Sequence, residues 1–114
     1  VAGMGTFSLN DGFITPRGMA MRCGSLVTNL PLEPTPRPYP SHYANCLYLA
    51  QGVCGECIAR CPAGAISEQG HDKKKCQAYS YGALNPYRDQ YGVSVTGCGL
   101  CQTGVPCEAC IPTR

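Results

Sequence analysis

Thiolate sulfur is the chemistry this sequence supplies in quantity. The 114-residue chain holds ten cysteines, and the densest run is Cys54-Gly55-Glu56-Cys57-Ile58-Ala59-Arg60-Cys61-Pro62. A Cys-x2-Cys-x3-Cys-Pro run reads as iron–sulfur ligation. Several thiolates crowded into one loop wrap a [4Fe–4S] cube, while a proline after the last cysteine breaks the local helix and turns that sulfur away, typically toward a second cluster. Cysteine makes up about 9% of the residues, at the edge of the range where a short chain is a disulfide or metal scaffold.

A cube needs four thiolates, and a weak internal repeat suggests how they divide. A cysteine expected on a helix (Cys46, Cys76) is followed by a Cys-x2-Cys loop (Cys54/Cys57, Cys98/Cys101) and then by a closing cysteine. Paired units of this kind are what a two-cluster ferredoxin presents, and there the cysteine before proline ligates the other cluster. Carrying that crossing over assigns Cys46, Cys54, Cys57 and Cys107 to one cube and Cys61, Cys76, Cys98 and Cys101 to the other. The ordinary pattern places its first cysteine where this chain has Gln51, and Cys46 is the nearest replacement, with a three-iron or other non-cubane site as the fallback. The second closing position has two candidates, since Cys107 follows Cys101 after five residues and Cys110 after eight. Cys107 needs the smaller insertion, which leaves Cys110 as the alternative ligand, and Cys110 and Cys23 as free thiols. Cys23 is expected as a small buried hydrophobe within a strand.

Two other readings compete. Cys98-x2-Cys101-x5-Cys107-x2-Cys110 has the form of a zinc knuckle, which would make the chain a zinc-stabilised interaction module, but it leaves five clustered cysteines without a role. Five disulfides in a secreted scaffold would suit the count, but not the Cys-x2-Cys spacing. His42 and His71 stand near expected helix starts and read as surface or capping residues. Tyr43, Tyr48, Tyr79 and Tyr81 lie near cysteines and would shield clusters from water, which with hydrogen bonds to sulfur sets cluster potential. Gly3-Met4-Gly5 lacks the preceding strand and third glycine of a dinucleotide fingerprint.

Composition narrows the classes further. Two Phe and no Trp, against 14 Gly and 10 Pro, leave a thin apolar core, so something besides packing must hold the fold. The formal charge is +2, but eight thiolates on two [4Fe–4S] cubes would bring the loaded protein to about −2, which argues against a nucleic-acid partner. Lys73, Lys74 and Lys75 form the one basic run and read as a solvated helix face. No apolar stretch reaches membrane-span length and no signal peptide opens the chain, so no membrane partner and a cytoplasmic location are expected. The opening Val1-Ala2-Gly3-Met4 leaves room for a piece of something longer.

The elements that must position the cysteines follow from turn and cap signals. Residues 30–40 hold five prolines and are expected to run extended as a connector. Before it, Phe13-Ile14 and the run Met21 to Leu30 are expected as two strands joined by Thr15-Pro16-Arg17-Gly18. After it, Ser41 is expected to cap a helix through Ala50 that ends near Gly52. Cys61 to Ile66 reads as a turn into a short strand. Asp72 is expected to cap a helix through Lys75, Cys76 and Tyr79 that fades near Gly82 or Pro86, and the rest is loop. The division is thus a β arm with connector at 1–40 and a cluster domain at 41–114.

Gly3-Met4-Gly5-Thr6-Phe7, Phe13-Ile14-Thr15-Pro16 and Arg22-Cys23-Gly24-Ser25-Leu26-Val27-Thr28-Asn29-Leu30-Pro31-Leu32 together resemble the segment that precedes the ferredoxin module in epoxyqueuosine reductases and reductive dehalogenases. Cys54 to Ile66, Cys76 and Cys98/Cys101 resemble that module itself. The resemblance implies that the upstream part belongs to a cobalamin-binding catalytic domain related to nitroreductases, and that two [4Fe–4S] clusters feed electrons to the corrinoid. It also implies that most of the corrinoid pocket lies outside this sequence, in an upstream or partner domain. The Gln51 position and the long Cys101 to Cys107 interval depart from the family pattern.

The expectation is therefore an α+β, loop-rich, bacterial two-cluster ferredoxin-like module with an N-terminal β-hairpin arm. Its role would be oxygen-sensitive electron transfer to a redox partner or an upstream catalytic domain. No side chain here is placed for bond chemistry. The alternative from the enzyme class is the C-terminal part of an epoxyqueuosine reductase-like or dehalogenase-like reductase.

Overall fold

The computed structural model describes residues 3–113; Val1, Ala2 and Arg114, at the outer ends of the two expected domains, lie outside the described residues. β1 (Thr6–Phe7) pairs antiparallel with β2 (Phe13–Ile14), Thr6 opposite Ile14 and Phe7 opposite Phe13. The connecting loop is closed by Ser8 Oγ donating to the Gly12 carbonyl at 2.9 Å and by the Gly12 N–H donating to Asn10 Oδ1 at 2.9 Å. Asp11 sits there at φ 60°, a left-handed conformation that Asp tolerates better than most residues.

This hairpin is not the one the sequence suggested. Phe13-Ile14 pairs with the strand before it, and Met21 to Leu30 forms no strand, running exposed through residues 22–38 without regular structure. The Asn10-Asp11-Gly12 turn brings a partner to Phe13-Ile14 first. Thr15-Pro16-Arg17-Gly18 is a turn as expected, with Thr15 and Gly18 exchanging backbone hydrogen bonds of 3.1 and 2.8 Å. It leads Met19 onto the far end of the chain, where its N–H donates to the Cys107 carbonyl at 3.0 Å.

The helix expected from Ser41 begins later. Residues 41–45 are turns, and α1 (Leu47–Gln51) starts with Cys46 at its N-cap position and stops at Gly52, φ 70°. Bonds to the hairpin explain the delay: Phe7 N–H donates to the His42 carbonyl, Asn45 N–H to Thr6 Oγ1, and Asn45 Nδ2 to the Ile14 carbonyl. Backbone held by these partners is not free to wind. α2 (Glu56–Ala59) follows Gly55, and the turn after Cys61 leads into β3 (Ile66–Ser67), which pairs antiparallel with β4 (Gly70–His71).

α3 (Lys73–Gln77) starts as expected, with Asp72 Oδ1 accepting 3.0 Å bonds from the N–H groups of Lys74 and Lys75. It widens into a π-helical stretch over Ala78–Ala83. α4 (Tyr87–Tyr91) was not expected, although Pro86 at its start and Gly92 at its end, φ 61°, are ordinary boundary residues. The remainder is loop apart from a 3-10 turn at Leu100–Gln102. Four short helices and two two-stranded antiparallel sheets thus make a small, loop-rich α+β unit among the described residues.

The buried apolar cluster is Leu9, Ile14, Met19, Cys46, Ile66 and Val105, with Cys57, Cys61, Cys101 and Cys107 packed against it. Cysteines are therefore part of the core itself. Two glycines let backbones meet there: a Cβ on Gly5 would lie 2.2 Å from the Ile14 carbonyl oxygen, and one on Gly18 would lie 2.1 Å from that of Glu108. No helix among the described residues is long and apolar enough to cross a membrane.

Candidate functional site

Two small clefts lie on the core, each lined by four cysteines. Cys46, Cys54, Cys57 and Cys107 line the first, beside Asn10, Tyr48 and Val105. Three pieces of chain deliver these thiols: the N-cap of α1, the loop that runs into the first turn of α2, and the turn after Val105. Cys54 takes φ 82° and Gly55 φ 110°, so the loop bends sharply just where its thiol must face inward. A left-handed L-residue costs about 1–2 kcal/mol, which the surrounding packing must offset.

Cys61, Cys76, Cys98 and Cys101 line the second cleft with Pro62, Ile66, His71, Tyr79 and Ser80. Cys61 leaves α2 at the Pro62 turn, and the Ala65 N–H donates to its Sγ at 3.3 Å. Cys76 lies in α3 with its Sγ 3.9 Å from Ser80 Oγ, while the Ser80 carbonyl accepts a 2.7 Å bond from Thr96 Oγ1. Arg60 fastens the end of α2 to the 3-10 turn and the residue after it by donating from Nε to the carbonyls of Leu100 at 3.3 Å and Thr103 at 3.0 Å.

The electrostatics show how closely the thiols are gathered, within each cleft and across to its neighbours. Burial, and then the nearby Cys46, Cys107, Cys101 and Cys54, push the Cys57 thiol up to about 12. Burial chiefly, with Cys46, Cys54 and Cys110, pushes Cys107 up to about 11. Cys101 is raised by burial and then by Cys98, Cys61 and Cys76. Thiolates gathered this closely repel one another unless positive charge is supplied between them, which is what a bound metal group does. Yet no three His, Cys, Asp or Glu side chains among the described residues converge tightly enough to hold a single metal ion. Thiols around a cube stand farther apart than four thiols around one zinc, whose sulfurs sit about 2.3 Å from the metal. Four thiols in each cleft are the donor set that a [4Fe–4S] cube takes.

All ten cysteines are free thiols. Cys110 is exposed, lines neither cleft, and has its Sγ 3.7 Å from the Pro106 carbonyl. Cys23 is exposed too, 3.5 Å from Met21 Sδ, and not buried in a strand as the sequence suggested. The reason is that its segment has nothing to pack on within this chain. The four cysteines of the zinc-knuckle alternative are divided, with Cys98 and Cys101 in the second cleft and Cys107 in the first.

Among the aromatic residues, Tyr48 and Tyr79 line the clefts, whereas Tyr43 and Tyr81 are exposed. His42 stacks on Tyr43 at 4.1 Å. His71 Nδ1 is 3.1 Å from Asp11 Oδ2, so it ties β4 to the first hairpin at the rim of the second cleft. The residues that sequence reading missed are Asn10 and Met19. Asn10 was legible only as a turn residue beside Asp11-Gly12, and Met19 carried no signal.

Comparison with known proteins finds no matching family model and no significantly matching solved structure. Two curated proteins named epoxyqueuosine reductase, from Bacillus cereus and Bacillus anthracis, are each 37% identical over 111 residues, covering 92% of this chain. The chain spans 27% of the length of each. It is thus related, over nearly its whole length, to a part of the epoxyqueuosine reductases.

Proposed function

We propose that this chain is an electron-transfer unit carrying two [4Fe–4S] clusters, one held by Cys46, Cys54, Cys57 and Cys107 and the other by Cys61, Cys76, Cys98 and Cys101. Such clusters supply one-electron redox chemistry when bound. The single observation that carries this function is the division of eight cysteines into two four-cysteine clefts. The chain's own contribution is to hold the thiols apart, donate the Ala65 N–H to Cys61, and keep water off with Tyr48 and Tyr79. Cys110 remains the alternative to Cys107 as a ligand.

The relatives' name supports a reductase as the destination of the electrons, with cobalamin in an upstream or partner domain and this unit as its iron–sulfur part. We place the unit in the cytoplasm, with residues 1–40 as a remnant of that catalytic domain and 41–114 as the cluster domain, ferredoxin-like in the bacterial two-cluster sense. By itself the chain should reduce neither epoxyqueuosine nor a halogenated substrate. A zinc module has no comparable support, because its four thiols are split between clefts.

Anaerobically prepared protein tests this directly. About eight iron and eight acid-labile sulfide per chain are expected, with bleaching by a low-potential reductant. One or two zinc per chain without sulfide would overturn it.

A further inference from the structure

Asn10 is a buried side chain of the β1–β2 loop, 4% exposed, and its two ends face different parts of the molecule. Oδ1 accepts from the Gly12 N–H at 2.9 Å, and it shares the single Ser8 hydroxyl proton with the Gly12 carbonyl. The Gly12 N–H at one end and the Cys101 carbonyl at the other fix the amide's orientation, since a flipped amide would set donor against donor and oxygen against oxygen. Nδ2 is thereby aimed inward, donating to the Cys101 carbonyl at 2.7 Å and standing 4.0 Å from Met19 Sδ. Met19 is in turn buried, with its Sδ 3.3 Å from Cys107 Sγ.

Cys101 belongs to the second cleft and Cys107 to the first, and Asn10 itself lines the first. One amide thus reaches both. We infer that Asn10 is a positioning residue that ties the two cysteine clefts together, fixing their separation and setting a dipole, positive end inward, between them. A leucine could fill the same space. What it could not supply is the donor to Cys101 or the polarity, and polar groups around ligand sulfurs set cluster potential. Burial of an amide is costly unless every atom is bonded, and here both ends are.

This inference rests on the two-cluster function, so the test is built to separate the two. The full chain and its Asn10→Asp and Asn10→Ala variants are prepared anaerobically and measured for iron and sulfide, for both reduction potentials, and for magnetic interaction between the two reduced clusters by electron paramagnetic resonance. Absence of iron and sulfide from the unaltered chain overturns the cluster function and this inference with it. Asn10→Asp keeps the shape and the Oδ1 bonds but replaces the donor by an anionic acceptor. With about eight iron retained, it should make both clusters at least tenfold harder to reduce, about 59 mV for a one-electron couple.

Asn10→Ala should alter the magnetic interaction as the clefts lose their tie. If it loses iron instead, the aspartate variant alone decides. Full iron content with unchanged potentials in Asn10→Asp would overturn the role of Asn10 and leave the cluster function standing.

Discussion

Cys57 and Cys61 stand four residues apart, about one helical turn, yet they open into different clefts. The same exchange occurs on the facing segment, where Cys101 lines the second cleft and Cys107 the first. The Cys54 to Cys61 piece thus gives two thiols to the first cleft and one to the second, and the Cys98 to Cys107 piece does the reverse. This brings the clefts side by side without a long connecting element, and it makes the assignment of each thiol separable by substitution.

Cys61→Ala should therefore damage the cluster bound with Cys76, Cys98 and Cys101 and spare the one bound with Cys54 and Cys57. Iron should fall from about eight to about four per chain. The Cys57→Ala variant should do the reverse, and the two residual spectra should differ. Identical residual spectra would sink the crossed assignment.

Cys107 and Cys110 separate as cleanly. Cys110 is exposed and outside both clefts, as is Cys23, so Cys110→Ser and Cys23→Ser should keep both clusters. Cys107→Ser should lose the first. Loss of a cluster from Cys110→Ser alone would move the ligand assignment to Cys110.

What the sequence made legible was chiefly what local chemistry dictates. Asp72 as a cap, Gly52 as a helix end, Pro62 as the turn that sends Cys61 away from Cys57, and Thr15 to Gly18 as a turn all follow from one or two residues each. The misses came from partners distant in sequence. The start of α1 was displaced by bonds from Thr6, Phe7 and Ile14 to residues 42–45, and Met21 to Leu30 has apolar residues without anything in this chain to pair with. No local propensity reports either fact. Asn10 was hidden for the same reason, because its bond to Cys101 spans 91 positions.

Asp72 gives a pH dependence whose sign is fixed. The Lys75 and Lys74 N–H groups hold its carboxyl below the usual 3.8, with the charges of Lys75 and Lys74 adding to the effect. The folded-state value is lowered, so its stabilisation is present above the unfolded value and is lost as pH falls below about 3.8 through the folded one. Asp72→Asn keeps a capping oxygen but cannot titrate. In a peptide spanning residues 70–84, helix content followed by circular dichroism from pH 5 to 2 should fall less with Asp72→Asn than with Asp72 itself; equal losses would exclude the cap as a contributor.

Gly18 allows a backbone approach that no other residue permits. It takes φ 78°, and a Cβ there would lie 2.1 Å from the Glu108 carbonyl oxygen, beside the strand of contacts from Met19 and Ala20 to residues 107 and 108. Gly18→Ala must therefore strain its own backbone and push the Cys107 segment away. The expected cost is about 2–4 kcal/mol in chemical denaturation. A loss below about 0.5 kcal/mol would mean the segment yields freely.

Leu26 is 89% exposed and Val27 98%, within ten uncharged residues from Cys23 to Leu32 whose backbone has no strand partner. Apart from the Leu30 N–H, which donates to Thr28 Oγ1 at 3.1 Å, no backbone bond among the described residues is seen in this stretch, and such an extended segment is a template for pairing with another sheet edge. On the proposed function, its partner in a longer reductase would be the catalytic domain. In the isolated chain it should pair with a second copy instead. Replacing Leu26 and Val27 together by lysine places two charges on that stretch, one on each face, and should lower self-association measured by sedimentation while iron content stays unchanged, because neither residue lines a cleft. In a full-length reductase the same pair of substitutions should reduce electron delivery to the catalytic centre and leave both cluster spectra intact. Undiminished delivery would make this stretch a connector with no docking role.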